Sequence, residues 1–490
     1  MSASLEIDEI LSSDSPGETR VALLSQGRLV ELLLTRESGA SRVGNIYLAR
    51  VGKAVPGADA AFVELGEGRA GFLSQRDAKG LLDARGEALA RPPSEGEAVL
   101  VQLVEDEYRG KGPSVASALA LPGHRLVLMP TRPGLSVSRK IGDAEERKRL
   151  EALLAAELKA GEGVVLRTAA AGADAALLAD ELVRLRELWR KVMALAASAE
   201  APKLLHAEAD ALERALRDHG GRALRRVVCD RRETLRRAAA LMARGGSAGT
   251  IEPELHQGRE ALFAEREIEE QIAQALAREV PLPAGGSLVI EALEALVAID
   301  VNTARGTAGA GAEAARLAVN LEAAAELARQ ARLRNLAGLI VVDFLHMEGA
   351  APRARVAEAL ARAFADDPLG TQLAGFTSLG LFELTRRRGR APLSEALGEP
   401  CDACRGEGRL PSAVTVAYEV LRAVERTARR APSANLRVVA AEAVIAALEG
   451  EARAARRHLE GQLAAPLELS SGPGYRREQF DILTRAALGA

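Results

Sequence analysis

The sequence predicts a multidomain α+β protein, and three observations carry that expectation. Its 490 residues exceed what one ordinary core accommodates, so about two to five structural units are expected. From Gly44 to about Leu121 the chain reads as short strands punctuated by glycine, whereas residues 174–196 and 312–334 read as long helices. From about residue 280, strands and helices alternate as they do in a layered α/β unit.

Composition narrows the class. Hydrophobic residues make up 48% and charged residues 27%, a soluble globular balance. Aromatics are only 3%, so each one invites a reason. The net charge of −3 provides no global field towards nucleic acid, and any such contact must come from local patches. Three cysteines, two of them spaced as Cys401 and Cys404, argue against a secreted disulfide scaffold and for metal binding or redox work. The N-terminus lacks a basic region followed by an apolar run, and no apolar stretch approaches the roughly 18 residues that span a bilayer. The expectation is a cytoplasmic protein without a membrane span.

Residues 20–34 read as two strands meeting at a Gln26-Gly27 turn. The glycine-punctuated strands of GNIYLARVGKAVPG, AAFVELG and AGFLS suit a small barrel of the oligonucleotide-binding type. Beyond it lie the strand LVLMP, a helix near 143–159 and the strand GVVLRT at 163–168. In the helix 174–196, Leu178, Leu182, Leu185, Trp189 and Val192 share one face. Residues 203–243 are mostly helical, interrupted near Gly220-Gly221 and by the apolar strand RVVCD, in which Cys229 is expected to pack. Two strands, ALVAIDVN and AGLIVVDF, flank the helix 312–334, and another helix follows at 351–366. A Gly/Cys linker, 399–412, leads to a small unit with helices near 413–430 and 441–463.

The strongest chemical constellation is the pair of strand-end aspartates. The apolar runs Leu296–Ile299 and Leu339–Val342 are expected to be buried, with Asp300 and Asp343 emerging at their carboxyl ends. Two such carboxylates can share one hard cation such as Mg²⁺, which stabilises charge on a phosphodiester and helps generate hydroxide. Asn302 falls on the same side as Asp300 and can orient a water or a phosphate. The same pattern also serves aspartates that cap turns or helices. Cys401-Asp-Ala-Cys404 is half of a tetrahedral zinc site, to be completed by a second chain, or else a redox pair or two incidental thiols. Phe62 and Phe72 either stack single-stranded bases from an open barrel face or fill the barrel core. Arg42, Arg50, Lys53 and Lys111 are the neighbouring cations. Arg167-Thr168 offers a guanidinium fork and a hydroxyl suited to a terminal phosphate, though the pair alone says little. Arg386-Arg387-Arg388 with Arg390 reads as an electropositive cluster that contacts a phosphate backbone or is simply a solvated face.

In this order the pieces resemble the catalytic region of the ribonuclease E/G family. The resemblance rests on ALVAIDVNTAR, NLEAAAELARQARLRNLAGLIVVDF, LGLFELTRRR, GNIYLARVGKAVPGADAAFVELG, LVLMP with VVLRTAAAG, and CDACRGEG, and it covers most of residues 20–430. It implies an RNase H-like unit from residues 1–35 and 215–278, with an S1 barrel (36–125) and a 5′-phosphate sensor region (126–214) inserted. A DNase I-like catalytic unit (279–398), a zinc-link (399–412) and a small dimerisation domain (413–490) complete the implied order. The implied activity is Mg²⁺-dependent hydrolysis of single-stranded RNA to 5′-phosphate and 3′-hydroxyl ends, in rRNA and tRNA processing and mRNA decay. Asp300 and Asp343 would hold Mg²⁺ with Asn302 assisting, Phe62, Phe72 and Lys111 would bind RNA, and Arg167 and Thr168 would read a 5′-monophosphate. Cys401 and Cys404 would bind zinc with a second protomer, giving a homodimer or homotetramer.

Three departures bear on this. His346 stands where the family usually has an acid after the second aspartate, Ala116 and Ser117 replace customary threonines, and Asp402 replaces a proline between the cysteines. The first keeps a rival open, an RNA-binding member with weak or lost cleavage. The length is nearer to ribonuclease G than to ribonuclease E, so the latter's long disordered tail and scaffold role are not expected.

Overall fold

In a computed structural model of the chain the described residues are 6–37, 41–55, 59–107, 111–221, 223–245, 251–303, 312–404, 406–463 and 465–485. They fall into two compact units, Met1–Leu397 and Gly398–Ala490. Gln26 and Gly27 both take positive φ, 52° and 76°, as a two-residue hairpin turn of the primed type requires. Glu18–Ser25 and Arg28–Arg36 therefore pair antiparallel. Glu9–Ser15 adds to the first of these, and Arg226–Cys229 then lies parallel to Glu9–Ser15. With Glu254–Leu255 the five strands form one sheet.

Strand alternation buries both faces of this sheet. Ile10, Val21 and Leu23 pack with Leu212, Leu216, Ala238 and Met242 of the helices Ala211–His219 and Arg232–Arg244. Leu11, Ala22 and Leu24 pack on the other side with Phe263, Ile268 and Ile272. The chain leaves this sheet after Arg36, returns to its core with the helix Ala211–His219 and rejoins the sheet at Arg226, so the residues between Arg36 and Ala211 are an excursion from one core.

The excursion first builds a closed barrel. Ile46–Val55, Ala60–Glu64, Gly71–Ser74, Ser114–Ala116 and Ala98–Glu105 pair in that cyclic order, and Ile46–Val55 closes the ring on Ala98–Glu105. Tyr47, Val51, Val63, Leu73, Val101 and Val115 fill its interior. Lys203–His206, far along the sequence, adds to the outer side of Ile46–Val55. Between them lies a four-stranded sheet of Leu121–Pro122, Leu126–Met129, Gly163–Leu166 and Gly134–Val137. The helices Ala144–Ala155 and Ala175–Ser198 share its core, with Leu178, Leu182, Leu185 and Val192 inward as their spacing predicts.

A six-stranded sheet carries the aspartates, in the order Glu279–Pro281, Gly286–Ala292, Leu296–Thr303, Gly338–Asp343, Phe382–Arg386 and Thr371–Phe376. Helices Ala312–Leu333 and Ala350–Ala363 cover one face. The expectation that Leu296–Ile299 and Leu339–Val342 are buried runs is corrected here. Only alternate residues face the helices, and Leu339 remains 40% exposed on the open face. The second half of Ala312–Leu333 is buried all round because it also packs on the N-terminal sheet, where Leu333 joins that core. Its charges are paired there, Arg329 with Glu326 and Arg332 with Glu31.

The second unit has a three-stranded sheet, Glu468–Ser471, Asn435–Ala440 and Phe480–Arg485. Helix Ala413–Arg430 matches expectation. The single helix expected at 441–463 is two, Glu442–Glu449 and Arg453–Glu460, because the backbone at Gly450 (φ −102°, ψ −103°) leaves the helical region. Among the described residues no helix is long and apolar enough to cross a membrane.

Candidate active site

Asp300 and Asp343 are register partners on adjacent parallel strands. Neighbouring strands lie about 4.8 Å apart, so the two side chains leave the same face side by side. Both are exposed, while Ile299, Val301, Val342 and Phe344 point into the core. Asp343 ends its strand as expected, but Asp300 does not: Gly286–Ala292 pairs with its strand as far as Thr303. Asn302, two residues on and on the same face, donates from Nδ2 to Oδ2 of Asp300 at 2.9 Å. Two carboxylates and an amide, open to water, suit a hard, oxygen-seeking divalent cation that keeps several waters. Glu383 pairs with Val341 and so shares this open face. Among the described residues no three His, Cys, Asp or Glu side chains gather closely enough to hold a metal by themselves. His346 is exposed three residues beyond Asp343.

Three supports beneath these strands were not anticipated from the sequence. Phe344 packs tilted against Phe376 and edge-to-face against Phe382 at centroid distances of 6.1 and 6.4 Å, anchoring the residue next to Asp343. Asn320, 0% exposed in the middle of a helix, donates to the carbonyl of Leu345 (2.9 Å) and accepts from its N–H (3.0 Å). It thereby clamps the loop that follows Asp343. The third support is Arg386. Strand alternation turns Arg386 inward with Phe382 and Leu384. There it is 3% exposed and bonds both oxygens of Asp367 at 3.0 and 2.8 Å. Arg386 is therefore no part of a surface cluster. Arg390 is likewise paired, with Glu31.

On the barrel, Phe62 and Phe72 are cross-strand partners with an edge-to-face ring pair at 6.0 Å. Val63 and Leu73 take the interior, which leaves Phe62 44% exposed on the outside. Lys111 and Lys53 are exposed. Arg50 is committed to the carbonyls of Gly96 and Ala201, and Arg42 to that of Glu67. Arg50 in particular is structural.

Arg167 follows the strand Gly163–Leu166 and donates to the Gly123 carbonyl at 2.6 Å. It also pairs with Asp218 at 2.8 Å. A Cβ at Gly123 would displace the buried Glu181 carboxylate, which accepts from the Arg125 N–H. Burial alone would raise the Asp218 carboxyl, but Arg217 and Arg167 hold it well below the usual range. The Thr168 hydroxyl lies 3.2 Å from that of Ser138, exposed beside Arg167. Next in sequence, His219 meets Arg332 at 3.3 Å, and Arg332 meets Glu31 at 2.9 Å. Two ion pairs, Arg167–Asp218 and Arg332–Glu31, are thus linked through adjacent residues Asp218 and His219 and the hydrogen bond between His219 and Arg332.

In the second unit Cys401 is exposed and Cys404 partly so. The N–H groups of Cys404 and Ala403, followed by the Cys404 side chain, draw the Cys401 thiol below its ordinary pKa. Cys229, by contrast, is fully buried in its strand as expected, and burial pushes its thiol up to about 12.

Two carboxylates and an amide on an open sheet face, in a chain that also carries a small closed barrel with a cross-strand phenylalanine pair on its outside, fit a nucleic-acid-processing type of protein, and comparison with known proteins makes this specific. The model of the ribonuclease E/G family matches residues 120–389. A second model, described as an RNase E/G thioredoxin-like domain, matches residues 400–485. The chain is 33% identical to ribonuclease G of Escherichia coli strain K12 over 484 residues, 97% of this chain and 99% of that protein. It is 31% identical to ribonuclease G of Haemophilus influenzae over 485 residues, with the same coverage of each. Ribonuclease E of Escherichia coli strain K12 is 33% identical over 461 residues, 92% of this chain but 43% of that longer protein. The chain belongs to the ribonuclease E/G family.

Proposed function

We propose that this endoribonuclease cuts single-stranded RNA by Mg²⁺-dependent hydrolysis, leaving 5′-phosphate and 3′-hydroxyl ends, in cytoplasmic rRNA and tRNA processing and mRNA decay. The observation that carries the reading is the register match of Asp300 with Asp343 on an open sheet face. Asp300 and Asp343 hold the cation, which when bound neutralises charge developing on the phosphodiester and acidifies a water. Asn302 fixes the orientation of the Asp300 carboxylate through its hydrogen bond. Water attacks phosphorus, the bond from phosphorus to the 3′ oxygen breaks, and that oxygen leaves as a hydroxyl.

Phe62 and Phe72 stack bases, and Lys111 meets the backbone. Arg167 has five N–H donors and has committed only some of them, so with Thr168 it can take a 5′-monophosphate. The units 1–35 with 215–278, 36–125, 126–214 and 279–398 correspond in this reading to RNase H-like, S1, sensor and DNase I-like parts. The excursion of the chain from one sheet supports the first of these. Cys401 and Cys404, within 399–412, bind zinc with the same pair of a second chain, and residues 413–490 help to hold the dimer or dimer of dimers. Two thiolates per chain, with Cys401 drawn towards thiolate, suit that chemistry.

The test is cleavage of a short A/U-rich RNA, 5′-monophosphorylated or 5′-hydroxylated, in Mg²⁺ or EDTA, by wild type and Asp300→Asn. Mg²⁺-dependent internal cuts that disappear in the variant are expected, with the phosphorylated RNA cut faster unless Arg167 is replaced. Tight RNA binding without cuts by wild type would overturn the hydrolytic reading and favour a binding module.

A further inference from the structure

Asp343 ends its strand and Asp300 lies beside it, past the middle of the neighbouring strand. At the other end of these strands, beside Leu296 and Gly338, a cavity of about 270 Å³ opens between the turn Leu293–Ala295, residues 275–278 and residues 388–394. Four arginines line it, Arg278, Arg334, Arg388 and Arg390, against one acid, Glu294. Arg278 is neutralised by Glu291 and Arg390 by Glu31. Arg334 differs from both. It is 8% exposed, and among the described residues it donates to the Gln330 side chain (2.5 Å) and the carbonyls of Ala277 (2.7 Å) and Gln274 (3.3 Å). No carboxylate among the described residues forms an ion pair with it.

A buried cation is normally matched by an anion, because desolvating an unmatched charge is expensive. The carbonyl end of helix Ile268–Leu276 offsets part of that cost. Burial, and then Arg329 beside it, still draw the Arg334 guanidinium down to about 10. Described residues take three of its five donors, which leaves two for a ligand. The remaining walls, Leu276, Leu293 and Leu296, are apolar. A guanidinium fork suits phosphate geometry, and an apolar wall suits a base or ribose.

We propose that this cavity binds a phosphate-bearing nucleotide, presented by the RNA chain or free in solution. Asp300 lies four residues along the strand from Leu296, roughly 13 Å away, so an RNA nucleotide held here is not the one being cut. The inference rests on the chain being an RNA-cutting enzyme.

The experiment uses the full chain carrying Asp300→Asn, so that RNA is not consumed. Binding of 5′-AMP and inorganic phosphate is followed by calorimetry, and binding of a labelled single-stranded RNA by anisotropy across a salt series. Arg388→Glu and Leu293→Asp are compared with the parent, because both positions lie on the cavity rim and neither substitution empties a core. At least a tenfold loss of 5′-AMP affinity in both variants is expected. If the RNA chain supplies the phosphate, the log–log salt slope of RNA binding also falls by about one in Arg388→Glu, and 4-thiouridine RNA crosslinks to residues 293–296 or 388–392. Loss of 5′-AMP binding with an unchanged RNA slope assigns the site to a free nucleotide. Equal binding of 5′-AMP, phosphate and RNA by all three proteins overturns the proposal. Cleavage by the chain with Asp300 intact is scored separately, so failure of the hydrolytic reading would show there and not here.

Discussion

Replacing Asn320 with alanine should loosen the loop that follows Asp343 and thereby lower activity in molecules that are still folded. Asn320 is completely buried and satisfies both backbone groups of Leu345. Removing it leaves an N–H and a C=O without partners, at about 1–3 kcal/mol for each fully buried group. Leu345 is only half-buried, so water relieves part of that loss and a total of about 2 kcal/mol is expected. Asp343 is two residues upstream, and a displacement of about 1 Å in a reacting group can cost roughly 100-fold in rate. The assay pairs urea unfolding with single-turnover cleavage across a Mg²⁺ titration. The variant should unfold at lower urea, cut more slowly and need more Mg²⁺ to reach half its rate. A variant that loses stability but cleaves at the wild-type rate with the wild-type Mg²⁺ midpoint would refute the argument that Asn320 positions Asp343.

Further expectations concern the barrel, the buried charges and the thiols. Phe62→Ala should weaken single-stranded RNA binding by about 1–3 kcal/mol per base lost from the stack while leaving the thermal midpoint within a degree or two, since the ring is largely outside the core. Arg386→Gln breaks a buried pair with Asp367 and should cost about 3–5 kcal/mol in urea unfolding. Burial, and then Arg332, lower His219 to about 4 from 6.5. The folded state therefore declines a proton that the unfolded chain takes up, so stability present above pH 6.5 is lost as pH falls towards 4, by about 3 kcal/mol. Urea unfolding at pH 7 and 4.5 should show most of that fall, and His219→Gln should flatten it. Cys401→Ser should abolish zinc-dependent self-association in sedimentation, and chelation of the wild type should do the same. An unchanged oligomer in both would remove zinc from the interface.

Local rules carried the sequence a long way. Gln26-Gly27 implies a hairpin because few other pairs tolerate two positive φ angles. The periodicity of residues 174–196 fixes which leucines turn inward, and apolar runs ending on Asp300 and Asp343 mark the strands that matter. The C-terminal strands Asn435–Ala440 and Phe480–Arg485 escaped this reading, because a short apolar run is compatible with strand or helix until a partner strand lies beside it.

The order of the pieces, the residue types at the centre and the pattern that places the chain in its family are all legible in the amino-acid sequence. Tertiary structure decided the rest, because pairing register and strand facing are properties of two segments at once. Only register sets Asp300 directly beside Asp343 across an intervening helix. Only the closed barrel decides that Phe62 faces out while Val63 faces in, and only the sheet turns Arg386 from an apparent surface charge into a buried partner of Asp367. The Asn320 clamp and the buried guanidinium of Arg334, which has no ion-pair partner among the described residues, belong to the same class. Their meaning lies in neighbours that the folded chain supplies and the sequence does not place.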